Sequence, residues 1–276
     1  FMLPSPSNIY RYPGGMDDPE ILRLKARSSD RYFNERIMGV PTPPKGLVFY
    51  EFRVDLHVQD VRYEPGKLVT LWIDPGYTQC HAVLAVQQVD GQFRVFDEIY
   101  ERELTTLDII RVAQAKSWWK DVKAAVIDIA GTQHQAMPAP SEIWLKETGL
   151  NPLSKKISIK DGIERLRSCL KPDPIYRRPQ MVFSQKCKGI LSEFGVAPNP
   201  FDGQTRVYRW KVDREGNAVG DEPEDMHNHG IKALIYGLVA ALGYANISSN
   251  DFIRVRRWED GDSERRRDHR ARPSAV

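Results

Sequence analysis

Cysteine is scarce: three residues in 276 (Cys80, Cys169 and Cys187), widely spaced and odd in number. That excludes a disulfide framework and a CxxC metal knuckle, and reads as buried thiols in a reducing compartment. Long apolar runs are also missing. The longest, Ala233 to Ala245, is interrupted by tyrosine and glycine and falls short of the roughly 20 residues that a membrane span requires, so no membrane contact is expected. There is little net charge: 40 basic against 37 acidic residues leave +3, and the last 26 residues hold eight Arg against six acids, leaving +1 for residues 1–250. Any nucleic-acid site must then be a local basic patch. The chain has no G-x-x-x-x-G-K-[ST] phosphate loop, which excludes a phosphate-loop ATPase made of this chain alone, and no G-x-S-x-G or catalytic-looking Cys–His set. It has no basic-then-apolar leader, and its opening at Phe1 in mid-pattern predicts a fragment or the downstream part of a longer product.

What is present, 41% hydrophobic and 28% charged residues, rules out a fully disordered chain and predicts one large domain with appendages. Residues 1–45 are rich in Pro and Gly around one amphipathic stretch that reads as helix, break, helix, too thin to own a core. From residue 46 to 247 the pattern is α/β. GLVFYEF reads as a strand. Leu68 to Tyr100 reads as three antiparallel strands, with a hairpin turn at Asp90-Gly91. Leu104 to Trp119 has helical spacing, and KAAVIDIAG returns to strand, which a helical crossover most readily lays parallel to an earlier strand. Helices follow over Asp161 to Leu170 and Ser184 to Phe194, with the strand QMVFS between them. A hairpin spans Tyr208 to Val219, and Asn228 to Leu242 is a helix apolar nearly all round, hence buried. Residues 248–276 form a mixed-charge tail without a core, expected to be flexible. The fold class expected is α/β: a mixed sheet, an antiparallel three-strand meander plus parallel strands, flanked by helices.

Three acids stand out by context. Asp74 ends the strand VTLWID before Pro75-Gly76, and Asp128 ends AAVID before Ile129-Ala130-Gly131. If those strands are neighbours, the two carboxylates lie side by side, repel, and call for a shared cation, for which hard oxygen ligands favour Mg²⁺ or Mn²⁺. The ordinary alternative is that each Asp caps a strand end or turn. Asp225 precedes the buried helix, where an acid is favoured by orphan N–H groups, and a helix crossing the sheet edge would carry it to the same place. His227 and His229 stand two apart beside it, so one could face a metal and one the solvent; a zinc pair is disfavoured by that spacing and by the lack of a third His or Cys nearby.

These residues together resemble the C-terminal nuclease domain of the large subunit of tailed-bacteriophage terminases, which has an RNase H-like fold. The resemblance runs over about residues 28–245. It includes the entry SSDRYFNERIMGVPTPPKGLVFYEF, similar to the family's link from the motor ATPase into a strand, then WIDPGYT, AVIDIAG, FSQKCKGILSEF with Glu193, and HNHGIKALIYGL. It implies a metal-dependent endonuclease that cuts concatemeric double-stranded phage DNA during packaging. It further implies two divalent ions held by acids, with Asp74 bridging and Asp128 and Asp225 each completing one shell. The same resemblance casts residues 1–45 as the trailing edge of an upstream ATPase motor plus linker. It implies a small terminase subunit and portal as partners, and the cytoplasm of the host cell as the place of work. One departure is plain: the family commonly reads N-H-x-x-D-A-L-x-Y at the last helix, and this sequence has Lys232 at the Asp position. His229, Lys232 and Glu193 are accessory candidates.

For DNA contact, SKKISIKDGIERLRSCLK offers Lys155, Lys156, Lys160, Arg165, Arg167 and Lys171; such a loop and helix beside the acids could hold phosphates, or could be an ordinary solvated face. Arg177-Arg178 and the Arg-rich tail are secondary candidates. Two functions of different class remain: the endonuclease, and a nuclease-like module that has lost cutting and serves the motor as a DNA-binding and docking part, motivated by Lys232. Another RNase H-like enzyme, such as a resolvase or ribonuclease, is disfavoured by the motor-linker pattern of residues 28–52.

Overall fold

The computed structural model describes residues 4–27, 33, 37–39, 46–128, 138–173, 177–213 and 218–243. It divides into two compact units, Phe1–Leu47 with Val212–Val219, and Val48–Lys211 with Gly220–Val276. In the first, α1 (Pro19–Arg27) starts where Asp18 accepts hydrogen bonds from the backbone N–H of Glu20 at 2.9 Å and of Gly14 at 3.3 Å, and buries Ile21. Most of the second helix expected before residue 39, and the whole expected tail, lie outside the described residues.

The second unit contains α2 (Val54–His57), β1 (Val58–Gln59), β2 (Val69–Asp74), β3 (His81–Val89), β4 (Gln92–Glu101), α3 (Thr106–Gln114), β5 (Val122–Ile127), α4 (Pro140–Thr148), α5 (Ile159–Leu170), β6 (Met181–Ser184) and α6 (Lys188–Glu193). Trp210–Val212 (β7) and Ala218–Pro223 (β8) pair as a separate hairpin, and α7 (His229–Leu242) closes the described chain. The main sheet has the order β1-β6-β4-β3-β2-β5. β2, β3 and β4 form the expected antiparallel meander, while β5 lies parallel to β2, β6 parallel to β4, and β1 parallel to β6. Local chemistry sets the element ends. Asp90 and Gly91 both take positive φ (52° and 75°), as the tight β3–β4 turn requires. Thr105 and Asp108 form a reciprocal capping box at α3.

Strand alternation sends the two faces of the sheet into separate cores. Val69, Leu71 and Ile73 of β2 pack with Ile109, Ile110 and Ala113 of α3 and Trp144 of α4. Trp72 and Val126 face the other way, into a core closed by α5, α6 and α7. There α7 comes so close that a Cβ on Gly237 would stand 1.9 Å from the Trp72 ring, so only glycine allows this approach.

Two expectations change. GLVFYEF is not a strand: Val48–Phe52 is turn and coil leading to α2. Its apolar residues are anchors, with Phe49 buried against Phe194 and Tyr208, and Phe52 stacked on Phe194 at 4.2 Å, so their alternation reflects packing into one aromatic cluster, and β1 supplies the edge strand instead. The helix expected over 184–194 is shortened to α6, with Glu98 of β4 accepting from the backbone N–H of Gly189 (2.6 Å) and Ile190 (3.0 Å) to start it.

Candidate active site

β2 and β5 are hydrogen-bonded parallel neighbours in register Ile73↔Ile127, so both end at the same edge of the sheet. The N–H of Asp128 donates to the Ile73 carbonyl at 3.0 Å, which sets the next residue of each strand, Asp74 and Asp128, beside one another. By alternation both fall on the Trp72–Val126 face, toward α7. Both are nearly buried, at 4% and 8% exposure. Burial pushes the Asp74 carboxyl up to about 6, and the charge of Asp128 adds to that rise while His229 opposes it.

The first turn of α7 completes the group. His229 is its first residue; Nδ1 lies 2.7 Å from Asp74 Oδ2, and Nε2 lies 3.1 Å from Gln79 Oε1. Gln79 belongs to the tight loop after Asp74, where a Cβ on Gly76 would sit 2.0 Å from the Cys80 carbonyl oxygen. The Pro75-Gly76 pair signals that loop in the sequence, but nothing in the sequence singles out Gln79. Lys232, one turn on, is partly buried, and its ammonium donates to Asp225 Oδ1 at 2.9 Å. Burial works to lower the Lys232 pKa, yet Asp225, Asp74 and Asp128 outweigh it, so the ammonium is held charged above its ordinary range. The same partner, with Asn228, draws the Asp225 carboxyl below the usual carboxylate range. Asp225 itself is 85% exposed and is bonded to Lys232 and, at 3.1 Å, to the Asn228 amide.

Glu193 stands behind the site. It is fully buried and accepts from the N–H of Gly230 (3.0 Å), the N–H of Ile231 (2.8 Å) and the hydroxyl of Tyr100 (2.8 Å). It thereby satisfies the orphan donors of the α7 first turn and holds His229 in position, a role the sequence does not reveal. Burial raises its pKa.

The basic candidates divide. Leu153 runs parallel beside β5, bridged to Val126, so the chain that follows it, with Lys155 and Lys156, emerges at the edge where Asp128 ends its strand. Lys155, Lys156 and Lys160 are exposed. Arg165 instead donates to the carbonyls of Gly243 (2.6 Å) and Leu242 (3.4 Å), closing the end of α7. Arg167 donates to the Val48 carbonyl (3.0 Å) and pairs with Glu164 (2.8 Å). Helical spacing made these two arginines look like one patch with the lysines, whereas tertiary partners occupy them.

Two buried carboxylates suit a hard divalent cation. Among the described residues, however, no group of three or more His, Cys, Asp or Glu side chains is gathered to hold a metal.

No family model and no curated protein matches the chain. Solved structures do. The large terminase of a thermophilic bacteriophage aligns over 83% of this chain and 54% of its own, at 14% identity and TM-score 0.54. The nuclease domain of the P22 large terminase aligns over 74% of this chain and 96% of its own, at 15% identity and TM-score 0.52. This chain has the RNase H-like fold of a large-terminase nuclease domain. It spans about half the length, 54%, of the first of these proteins, which has also been solved with ADP. The large terminase nuclease of the thermophilic phage G20c, solved with bound magnesium, aligns over 71% of this chain and 98% of its own, at 16% identity and TM-score 0.46. Among the described residues no helix is long and apolar enough to cross a membrane.

Proposed function

We propose that this chain is the nuclease part of a phage terminase large subunit, a metal-dependent endonuclease for double-stranded DNA. The observation that carries this reading is the pair Asp74 and Asp128, buried side by side at the ends of two parallel strands in a terminase-nuclease fold. Those two carboxylates would hold Mg²⁺ or Mn²⁺, which when bound lowers the pKa of water to supply hydroxide and stabilises the leaving oxygen of a phosphodiester. His229 fixes the orientation of the Asp74 carboxylate from one ring nitrogen and is itself braced through the other by Gln79. Glu193 positions the helix turn that carries His229. Lys155 and Lys156 supply exposed positive charge at the Asp128 end, suited to phosphates without base readout. A second ion would need Asp225 to exchange its bond to Lys232 for the metal. The wider reading, in which an ATPase motor precedes this chain and a small subunit and portal act with it in the host cytoplasm, follows from the resemblance.

A second reading is favoured by one observation, the Lys232 ammonium held beside the acids and tied to Asp225. A cation built into the site lessens its need for metal, and the module would then bind DNA and dock without cutting. Nicking of supercoiled plasmid by the purified chain with Mg²⁺, Mn²⁺ or EDTA, beside Asp74→Asn and Asp128→Asn, separates the two. Metal-dependent nicking lost in both variants supports the endonuclease. DNA binding without nicking in either metal supports the docking module.

A further inference from the structure

Beside the acid pair lies a pocket of about 230 Å³, several times the ~30 Å³ share of one water. Arg102, Arg206, His227, His229, Gln79 and the buried Asn199 amide line it, and none of its lining residues is acidic. Arg102 directly follows β4, with its guanidinium 4.1 Å over the Phe201 ring and its Nε–H donating to the Gln79 carbonyl. Among the described residues no carboxylate lies within ion-pair distance of it. Arg206 is paired with Asp202 at 2.7 Å and held by Gln204 at 2.9 Å, so the walls keep a net positive charge.

Two further facts point to a ligand. His227, in the pocket wall, and Glu103, the residue after Arg102, take φ of 52° and 59°, a costly conformation for residues other than glycine that concentrates at ligand clamps. The turn at Glu103 is pinned by its N–H, which donates to the Tyr77 carbonyl at 2.9 Å and fixes Arg102 against the loop that follows Asp74. The pocket floor is His229, whose other face touches the Asp74 carboxylate, so an occupant here stands one imidazole from the acid pair.

We propose that this pocket binds a backbone phosphate of the DNA strand next to the one presented to Asp74 and Asp128, with Arg102 and Arg206 as its cationic walls. The proposal rests on the endonuclease reading for its substrate class. A planar guanidinium fork matches phosphate oxygens, and a single phosphate seated in a concave site that sets two guanidinium groups against the one carboxylate of Asp202 registers the strand along the acid pair.

The test is the affinity of the full chain for a fluorescein-labelled 30-base-pair duplex, measured in EDTA over a range of salt, so that binding is read without cutting. Arg102→Gln and Arg206→Gln are compared with Arg62→Gln, an exposed arginine paired locally with Asp60. Arg206→Gln leaves the Arg102 brace intact and serves if Arg102→Gln unfolds. Loss of about tenfold in affinity, with a salt slope reduced by about one per lost contact, and no change for Arg62→Gln, is expected. An unchanged slope in a folded Arg206→Gln variant overturns the proposal. Inorganic phosphate is the second probe: arginine-dependent thermal stabilisation by phosphate with duplex affinity unchanged would make this a free-anion site and overturn it too. Plasmid nicking with Mn²⁺ is read in parallel, so a nuclease whose duplex binding ignores both arginines refutes the pocket alone, and a chain that never nicks refutes the nuclease reading separately.

Discussion

Replacing Asp74 by Asn should make this protein more stable, which is unusual for a buried hydrogen-bonded residue. The Asp74 carboxyl titrates near 6 in the fold against an ordinary value of 3.8, because burial and Asp128 disfavour its charge. Its folded-state pKa is raised, so the native state binds more protons than the unfolded one between those values, and stability falls as pH rises through that window. Above about pH 6 the ionised carboxylate costs about two units at roughly 1.4 kcal/mol each, or about 3 kcal/mol. Asparagine stands in for the protonated acid and escapes that cost. Thermal unfolding in EDTA at pH 7.5 should show Asp74→Asn melting roughly 5–10 °C above the parent, since about 1 kcal/mol moves the midpoint of a chain this size by ~2–4 °C. At pH 4 the two should nearly coincide. Adding Mn²⁺ should raise the parent's midpoint, because binding to the native state alone stabilises it, and leave the variant's unchanged. A variant that melts below the parent at pH 7.5 would refute the strained-carboxylate argument, and one that gains equally from Mn²⁺ would refute the cation-site argument.

Four other variants probe the surrounding residues. Glu193→Ala leaves two buried N–H groups and the Tyr100 hydroxyl without their acceptor, and should cost about 3 kcal/mol or more in denaturant unfolding while also lowering nicking through a displaced His229; an unchanged midpoint would remove Glu193 from that role. Lys232→Ala removes a unit charge that acts on Asp74 and Asp128 and frees Asp225, so Mn²⁺ affinity by calorimetry should tighten by about a hundredfold or more, since even ~10 Å from a divalent ion a unit charge is worth about 3 kcal/mol at an effective dielectric of about 20, and weaker binding would contradict the electrostatics. Lys155→Gln with Lys156→Gln should weaken duplex binding and flatten its salt dependence by about one per contact at unchanged melting temperature. Arg165→Gln should do the reverse, losing about 1 kcal/mol of stability with the end of α7 while binding is kept, and swapped outcomes would show that the sequence patch is real.

The sheet was legible in the sequence because strands carry their own evidence. VTLWID, HAVLAVQQV and FRVFDEIYE are long enough for alternation and are punctuated by Asp90-Gly91, and the crossover rule then puts β5 beside β2. Asp74 and Asp128 could be read for the same reason: a strand end fixes which face a side chain takes and at which edge it stands. Residues placed by tertiary contact alone were not legible. GLVFYEF has strand composition, yet Phe49 and Phe52 are drawn into an aromatic cluster with Phe194 that no local pattern announces. Arg165 and Arg167 share a helix with lysine neighbours, and only the fold reveals that their guanidinium groups meet the Gly243 and Val48 carbonyls.

Asp225 belongs to that second group, and its case bears on activity. It sits in the irregular segment before α7, where no periodicity fixes a side chain, and Lys232 seven residues later decides its direction. The expected trio of acids is therefore a pair plus an ion pair: Asp74 and Asp128 are set by strand register, with His229 on Asp74, while Asp225 is exposed and bonded to an ammonium that the same two carboxylates help keep charged. The three groups are thus linked through one charge. A divalent cation held by Asp74 and Asp128 would meet the Lys232 ammonium as a like charge. Cation binding and the Lys232 charge would then oppose one another, as any two events do when each disfavours the state the other needs.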